Sequence, residues 1–237
     1  MTRRRWIADE LVGDRAALTG EHANHLVRVL RAQVGQEFDI ATKSGVRCGQ
    51  IVSIADDRVE FALGVEVGAP QTTKTTLLLS IFKFDRMEWA IEKCTELGVA
   101  RIVPVIARRT DSHLAGAAEK RCERWQRIAL QASEQSRRSA PPDIFSPLKL
   151  QEALKLEGAL RIVLSEAEKQ TLLANVLAEQ SSDGDVLIAV GPEGGWAESE
   201  LQFFTQAGWI SASLGTMILR AETAAIAAAA VVASQLR

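Results

Sequence analysis

The chain has 237 residues, of which 47% are hydrophobic and 24% charged, and its net charge is -2; this is the composition of an ordinary globular protein of one or two domains. No apolar run approaches the ~18 residues of a membrane span, and the start, MTRRRWIADE, lacks the apolar stretch of a signal peptide. Three scattered cysteines and three histidines without metal-like spacing argue against a disulfide framework and a metal site. We therefore expect a cytoplasmic protein without a membrane span or a metal centre.

The first part of the chain favours β structure. β-Branched and apolar residues predict strands over residues 36–41, 46–54 and 59–65, and an apolar stripe predicts one helix over residues 21–31. Residues 68–73 contain Gly and Pro with polar neighbours and no periodicity, which is typical of a linker. We therefore predict a small β-rich domain over residues 1–70 and a second domain over residues 74–237.

The second domain alternates between strand and helix patterns. The pattern predicts strands over residues 77–82, 102–106, 160–164, 186–190 and 210–214, and helices over residues 86–97, 119–136, 172–178, 198–207 and 223–235. Such alternation indicates an α/β fold with a mostly parallel sheet covered by helices.

Two glycine-bearing segments follow predicted strands near the C-terminus. The first, GPEGGW from Gly191 to Trp196, matches neither the dinucleotide nor the phosphate-loop motif, and Glu193 would repel a phosphate. It favours a ligand that is neutral or positive, although a tight strand–helix connection without a ligand is the alternative. Two such turns at the carboxyl ends of neighbouring strands would make a pocket walled by backbone.

The second segment, LGTMILRAETA from Leu214 to Ala224, places apolar residues where a loop is usually polar. These residues either pack under another segment or offer a surface to a flat ligand ring. Glu222 suits the first turn of the last helix, where it would act as a capping residue. Arg220 stands at the wrong helix end for the dipole, so we expect a specific partner for it.

Together, GPEGGW and LGTMILRAETA resemble the signature of the ribosomal RNA small-subunit methyltransferase E family, the uridine N3 methyltransferases of 16S rRNA within the SPOUT superfamily. Other stretches that match are HLVRVLR from His25, EKCTELGV from Glu92 and QASEQSR from Gln131. The similarity runs from about Arg4 to the C-terminus. Trp196 departs from the phenylalanine expected there but keeps an aromatic ring.

The resemblance implies a SPOUT-type α/β domain tied into a trefoil knot, a PUA-like β-barrel at the N-terminus, and a homodimer with its active site near the subunit interface. It also implies S-adenosylmethionine as cofactor, with Met217 to Leu219 beside the adenine. The implied cofactor-binding residues are Leu164, Ser165, Glu166, Val190, Gly191, Pro192, Glu193, Gly194, Leu214, Gly215, Ile218 and Leu219.

Methylation at uracil N3 requires loss of the N3 proton, and the resulting charge spreads onto O2 and O4. Arg220 is the predicted cation that stabilises this charge. The proton acceptor is Glu222, Glu193 or water.

An uneven charge distribution points to the RNA partner. Residues 71–140 carry 13 basic and 8 acidic side chains, a net +5 in a chain whose total is -2, which suits a polyanion although solvated helix faces would look the same. The predicted contacts to small-subunit rRNA, free or in the assembled subunit, are Arg3, Arg4, Arg5, His25, Arg28, Arg31, Arg108, Arg109, Arg137 and Arg138.

Three other functions stay open on the residues alone. The chain could be an RNA-binding module without catalysis, or a SPOUT methyltransferase that acts on another nucleotide. A hydrolase that uses Ser165 or Ser199 is the third, although the GxSxG nucleophile elbow is missing.

Overall fold

The structure is a computed structural model that describes residues 4–42, 45–68, 74–179 and 184–235. The chain forms two compact units: Met1–Gln71 with Ser133–Ala140, and Thr72–Ala132 with Pro141–Arg237. The first passage between units falls in the predicted linker, most of which (residues 69–73) lies outside the described residues. The sequence patterns did not predict that Ser133–Ala140 packs with the first unit.

The first unit is a six-stranded sheet. All neighbouring strands are antiparallel except the first pair, and in spatial order they are β1 (Arg5–Ile7), β4 (Glu37–Thr42), β5 (Gly45–Ala55), β6 (Arg58–Val67), β3 (Arg15–Thr19) and β2 (Glu10–Val12). Although β1 and β2 lie at opposite ends of this order, only Ala8 and Asp9 separate them in the chain. The Ala8 N–H donates to the Ala41 carbonyl and the Asp9 N–H to the Ala17 carbonyl. The sheet must therefore curl on itself, as the predicted PUA-like barrel requires.

One helical segment packs on the curled sheet. The helix α1 (Gly20–Asn24) continues as a π-helical turn over His25–Val29, close to the predicted helix over residues 21–31. Leu26 is fully buried in the same core cluster as Phe38 and Phe61. The rings of these two phenylalanines pack edge to face. The strands β1, β2 and β3 were not predicted, because they are three to five residues long and β2 has no buried face to mark it.

The second unit is built on a parallel sheet. The strand order is β10 (Leu148–Lys149), β8 (Arg101–Ile106), β7 (Thr75–Ser80), β12 (Val186–Val190), β11 (Leu160–Leu164) and β13 (Ile210–Ala212), and β9 (Asp143–Ile144) also pairs with β8. Every neighbouring pair is parallel. The chain passes from β12 to β13 across β11, which lies between them. The trefoil knot implied by the resemblance stays a prediction.

Helices cover both faces of this sheet. They are α2 (Phe84–Glu96), α3 (Ser112–Ala117), a 3-10 turn (Glu119–Arg121), α4 (Cys122–Gln135), α5 (Leu150–Ala153), α6 (Leu173–Glu179), α7 (Glu198–Gln206) and α8 (Ala221–Gln235). Alternate strand residues separate the core into two layers: Leu77 and Leu79 pack with Met87 of α2, while Leu78 packs with Phe204 of α7. The predicted α/β class with a parallel sheet is confirmed. The sequence patterns did not predict α3, α5, β9 or β10.

Candidate active site

A cleft lies at the carboxyl edge of the parallel sheet, where β11, β12 and β13 end. Its cavity volume is about 110 Å³, and it is open to solvent. Since neighbouring parallel strands end at the same edge, the loops that follow them meet there. The cleft is lined by Leu164, Ser165, Glu166, Val190, Gly191, Pro192, Glu193, Gly195, Trp196, Ser213, Leu214, Gly215, Met217, Ile218, Leu219, Ala221 and Ala224.

Eleven of the twelve residues predicted to bind the cofactor line this cleft. The twelfth, Gly194, accepts a hydrogen bond through its carbonyl from the Arg109 guanidinium at 2.5 Å. The structure therefore brings together three loops that lie up to 55 residues apart in the chain. Their role in binding stays a prediction.

The turn after β12 requires its glycines. Gly195 has a φ of +68°, and a Cβ there would lie 2.4 Å from Glu166 Oε1. Its N–H donates to the Pro192 carbonyl at 2.8 Å, which closes the turn. The next residue, Trp196, is buried and packs edge to face on Phe204 at 4.8 Å between ring centroids, so this aromatic position anchors the turn in the core.

The loop before α8 presents apolar side chains to solvent. Met217 is 78% exposed and Ile218 86% exposed, although both line the cleft. Exposed apolar groups at a cleft favour a flat, weakly polar ligand.

The cleft fits S-adenosylmethionine. The apolar loop would face the adenine, and the carboxylates of Glu166 and Glu193 supply negative charge for the positive sulfonium and amino groups.

Glu222 and Arg220 have opposite environments beside the cleft. Glu222, in the first turn of α8, is 4% exposed, and its Oε2 has no hydrogen-bond partner among the described residues. Arg220 is exposed, and its carbonyl accepts the Ala224 N–H at 2.8 Å as the helix begins. Within the described chain no hydrogen bond or ion pair holds its guanidinium. The expected partner of Arg220 is therefore not found among the residues that the structure describes.

Sequence reasoning missed Arg86. Its Nη1 lies 3.6 Å from Glu193 Oε1, and its Nε lies 3.8 Å from Glu222 Oε1. It lies in the first turn of α2, at the carboxyl end of β7, which neighbours β12 in the sheet. The signal that could have found it is the one used for Arg220, a cation at the helix end that the dipole disfavours.

The arginines predicted to bind RNA fall into two groups. Arg4, His25, Arg28, Arg31, Arg108, Arg109 and Arg137 are exposed, and Arg3 lies outside the described residues. Arg5 is buried, pairs with Asp39 at 3.7 Å and donates to the Arg137 carbonyl; burial lowers its pKa. Arg138 is also buried, burial lowers its pKa to about 10, and its Nε donates to the Ala140 carbonyl. Neither buried guanidinium is presented to a surface ligand.

Two exposed arginines also have contacts within the second unit. Arg108 Nη1 donates to Ser199 Oγ at 3.1 Å, and its backbone N–H donates to Glu200 at 2.8 Å. Arg109 holds the carbonyl of Gly194, as described above. These contacts of Arg108 and Arg109 therefore stabilise helix α7 and the turn after β12, respectively.

The hydrolase alternative has no support in the contacts of its serines. Ser165 Oγ accepts the Ala167 N–H, and Ser199 Oγ accepts from Arg108. Across the described ranges neither hydroxyl is hydrogen-bonded to a histidine. In the same ranges no group of three or more His, Cys, Asp or Glu side chains could hold a metal, and no helix is both long and apolar enough to cross a membrane.

Models of known protein families match both units of the chain. A family model described as an RNA methyltransferase domain matches residues 69–233, and one described as an RNA methyltransferase PUA domain matches residues 18–63. Ribosomal RNA small subunit methyltransferase E of Rickettsia conorii is 34% identical, with 90% of this chain and 87% of the relative covered. Its namesake from Bacillus subtilis is 30% identical, with 92% and 90% covered.

A solved structure matches over nearly the whole chain. It is the ribosomal RNA small subunit methyltransferase E of Neisseria gonorrhoeae bound to S-adenosylmethionine, with a TM-score of 0.83, 29% identity, and 98% of this chain and 97% of that chain covered. The predicted family, the SPOUT-type fold with a PUA domain, and the methyl donor used by the family are confirmed. This chain belongs to the ribosomal RNA small subunit methyltransferase E family.

Proposed function

We propose that this protein transfers a methyl group from S-adenosylmethionine to N3 of a specific uridine in small-subunit ribosomal RNA. The observation that carries the proposal is the cleft at the ends of β11, β12 and β13, where two glycine turns, an exposed apolar loop and two carboxylates meet. Membership of the family, and the donor bound to its Neisseria gonorrhoeae member, support the same reading.

The chain's own residues have three tasks in this reaction. When bound, S-adenosylmethionine supplies a methyl group on a positively charged sulfur. The loops of the cleft hold that donor and align it with uracil N3, and alignment of this kind contributes several kcal/mol, up to ~7–11 in the best intramolecular cases. Arg220 donates hydrogen bonds to the uracil oxygens, where charge develops. Glu222 accepts the N3 proton, with Glu193 or water as the alternative acceptors.

Small-subunit rRNA is held by the first unit together with arginines of the second. The exposed cationic side chains that carry this part of the proposal are Arg4, His25, Arg28, Arg31, Arg108, Arg109 and Arg137. Arg3 belongs to the same N-terminal basic run. We leave out Arg5 and Arg138 because their guanidinium groups are buried. Phosphate neutralisation by these side chains makes RNA binding weaken as salt rises.

We propose further that the protein acts as a homodimer in the cytoplasm, where its RNA substrate is. The support is α8, which carries no charged residue from Thr223 to Gln235. Ala225, Ala228 and Val232 are buried, yet Thr223 and Ala230 on the same helix are exposed. A helix that is apolar all round is normally covered on every side, and a second copy would cover this one.

Calorimetry with S-adenosylmethionine separates this function from an RNA-binding module. We expect saturable binding of one donor per chain, and the variant Ile218→Asp should weaken it at least tenfold without loss of thermal stability, since Ile218 is 86% exposed. Absence of binding at high protein concentration would favour the module. If the protein binds the donor but methylates a base other than uridine, the proposed donor site stands and the proposed substrate is wrong.

A further inference from the structure

Arg86 lies between two carboxylates that belong to different elements of the second unit. One is Glu193 of the turn after β12, at 3.6 Å, and the other is Glu222 of α8, at 3.8 Å. The Arg86 side chain is 33% exposed, the Glu193 side chain 39% and the Glu222 side chain 5%. The most buried member of this trio is thus the carboxylate proposed as proton acceptor.

The position of Arg86 is unfavourable for α2 itself. In the first turn of a helix the macrodipole repels a cation, and no i,i+4 partner on α2 offsets this. Its two ion-pair partners among the described residues lie on other elements, 107 and 136 residues further along the chain. The placement is therefore explained by the two carboxylates and not by the helix.

Glu222 needs such a cation. Burial of a carboxylate is costly unless a cation or hydrogen-bond donors compensate its charge. Among the described residues Arg86 is the cation paired with Glu222, and it contacts Oε1 of the carboxylate. Oε2 has no hydrogen-bond partner among the described residues. At 3.6–3.8 Å the contacts of Arg86 are ion pairs longer than hydrogen bonds, and the unpartnered Glu222 Oε2 is itself buried.

We propose that Arg86 is a positioning residue: its guanidinium balances the charge of the buried Glu222 carboxylate and fixes its orientation at the start of α8, and it ties this group to the donor-binding turn through Glu193. The inference rests on the proposed function. In the step concerned the N3–H bond breaks and the proton goes to the Glu222 carboxylate. The electron pair left on N3 forms the new bond to the methyl carbon, and the bond from that carbon to the donor sulfur breaks with its electron pair staying on sulfur, which leaves as a neutral thioether.

The first test measures thermal unfolding of the protein without any donor. Arg86→Met should lower the Tm, because it leaves a buried carboxylate uncompensated. Adding Glu222→Gln to Arg86→Met should raise the Tm again, because the uncompensated charge is gone. The matched control is Arg101 with Asp185, a pair at 2.6 Å whose side chains are 35% and 41% exposed; Arg101→Met and Asp185→Asn should show little coupling. Equal effects of Glu222→Gln with and without Arg86 would overturn the inference.

The second test separates kcat from donor affinity. Arg86→Met should lower kcat about 10–100-fold, within the range of general acid–base effects, with a less than threefold change in the dissociation constant of S-adenosylmethionine. Arg86→Lys should recover part of kcat because it keeps a charge at the same place. Loss of donor affinity at unchanged kcat would assign Arg86 to donor binding and contradict the positioning role.

The two proposals fail differently. If the wild-type protein methylates rRNA and Arg86→Met does so at the same rate, the inference on Arg86 is wrong and the proposed function stands. If the wild-type protein neither binds the donor nor methylates rRNA, the proposed function is wrong whatever the Tm values show.

Discussion

Arg220 joins the exposed apolar loop to α8, and its guanidinium has no partner within the described chain. If it stabilises the charge on the uracil oxygens, Arg220→Ala should lower kcat about 10²–10³-fold, as loss of one such donor does elsewhere. Calorimetry should show unchanged affinity for S-adenosylmethionine. Arg127→Ala, at an exposed arginine of α4, serves as the control with normal turnover. Normal turnover of Arg220→Ala would remove Arg220 from the mechanism.

Gly195 is the residue at which the backbone demands glycine most strongly. Gly195→Ala combines a φ of +68° with a Cβ 2.4 Å from Glu166 Oε1, so we expect donor affinity to fall about tenfold or more. Gly116→Ala is the matched control, because Gly116 lies in α3 with open space around its Cβ position and an ordinary φ; this change should be neutral or slightly stabilising. Calorimetry measures both variants. An unchanged affinity of Gly195→Ala would show that the turn does not need its present shape.

Among the strands of the second unit, the sequence pattern predicted the long ones and missed the two shortest ones. The strands β7, β11 and β12 have five or six residues each and contain the apolar runs LLL, IVL and VLIAV, which give a clear strand signal. The strands β9 and β10 have two residues each, too few for any periodicity, and only their pairing with β8 makes them strands. Element length thus decided which parts of the sheet the pattern could reveal.

The candidate site was predictable to the extent that its residues are contiguous in sequence. The glycine turn and the apolar loop are short motifs, so the cofactor residues could be named before the structure. Arg86 offered only the signal of a disfavoured helix position, and its two partners could not be named from the sequence because they are more than 100 residues away. Arg5 and Arg138 looked like surface cations because composition does not show which arginines a backbone carbonyl will hold.

The end of α4 supplies a pH-dependent contribution to stability in the first unit. Glu134 Oε1 lies 3.8 Å from His22 Nε2. Burial raises the pKa of Glu134, and the nearby Asp9 adds to this, while His22 and the Ile7 N–H oppose it. Because the pKa is raised in the folded state, the contribution is fully present below the unfolded pKa, near ~4.3, and is lost as pH rises through the folded pKa.

Glu134→Gln should therefore raise the Tm at pH 8, where it removes a disfavoured charge, and should change it little at pH 4, where the wild-type carboxyl is protonated. Thermal unfolding at the two pH values measures the effect. Glu123→Gln, at an exposed position of the same helix, is the control without pH dependence. A lower Tm of Glu134→Gln at pH 8 would mean that the contact with His22 outweighs the cost of burial.

At the scale of the whole molecule, the exposed side of α8 predicts self-association. Ala230 is exposed on this uncharged helix, so Ala230→Glu should convert a dimer into a monomer without harm to the core of a single chain. Analytical ultracentrifugation measures the mass of both proteins. A wild-type protein that is monomeric at micromolar concentration would contradict the proposed homodimer.

A dimer would also change the surroundings of Arg220. Arg220 has no partner within the described residues, and an active site near the subunit interface would give it one. Loss of activity in Ala230→Glu together with monomer formation would support this arrangement. Full activity of a monomeric Ala230→Glu would place every catalytic group within one chain.

The most direct test offers the purified protein labelled S-adenosylmethionine with small-subunit rRNA, both free and in assembled subunits, and then maps the modified base. We predict label in a single uridine, as N3-methyluridine, with slower transfer at sub-saturating donor when Gly195→Ala weakens donor binding. Absence of label from both substrates, or label on a different atom or base, would contradict the proposed reaction.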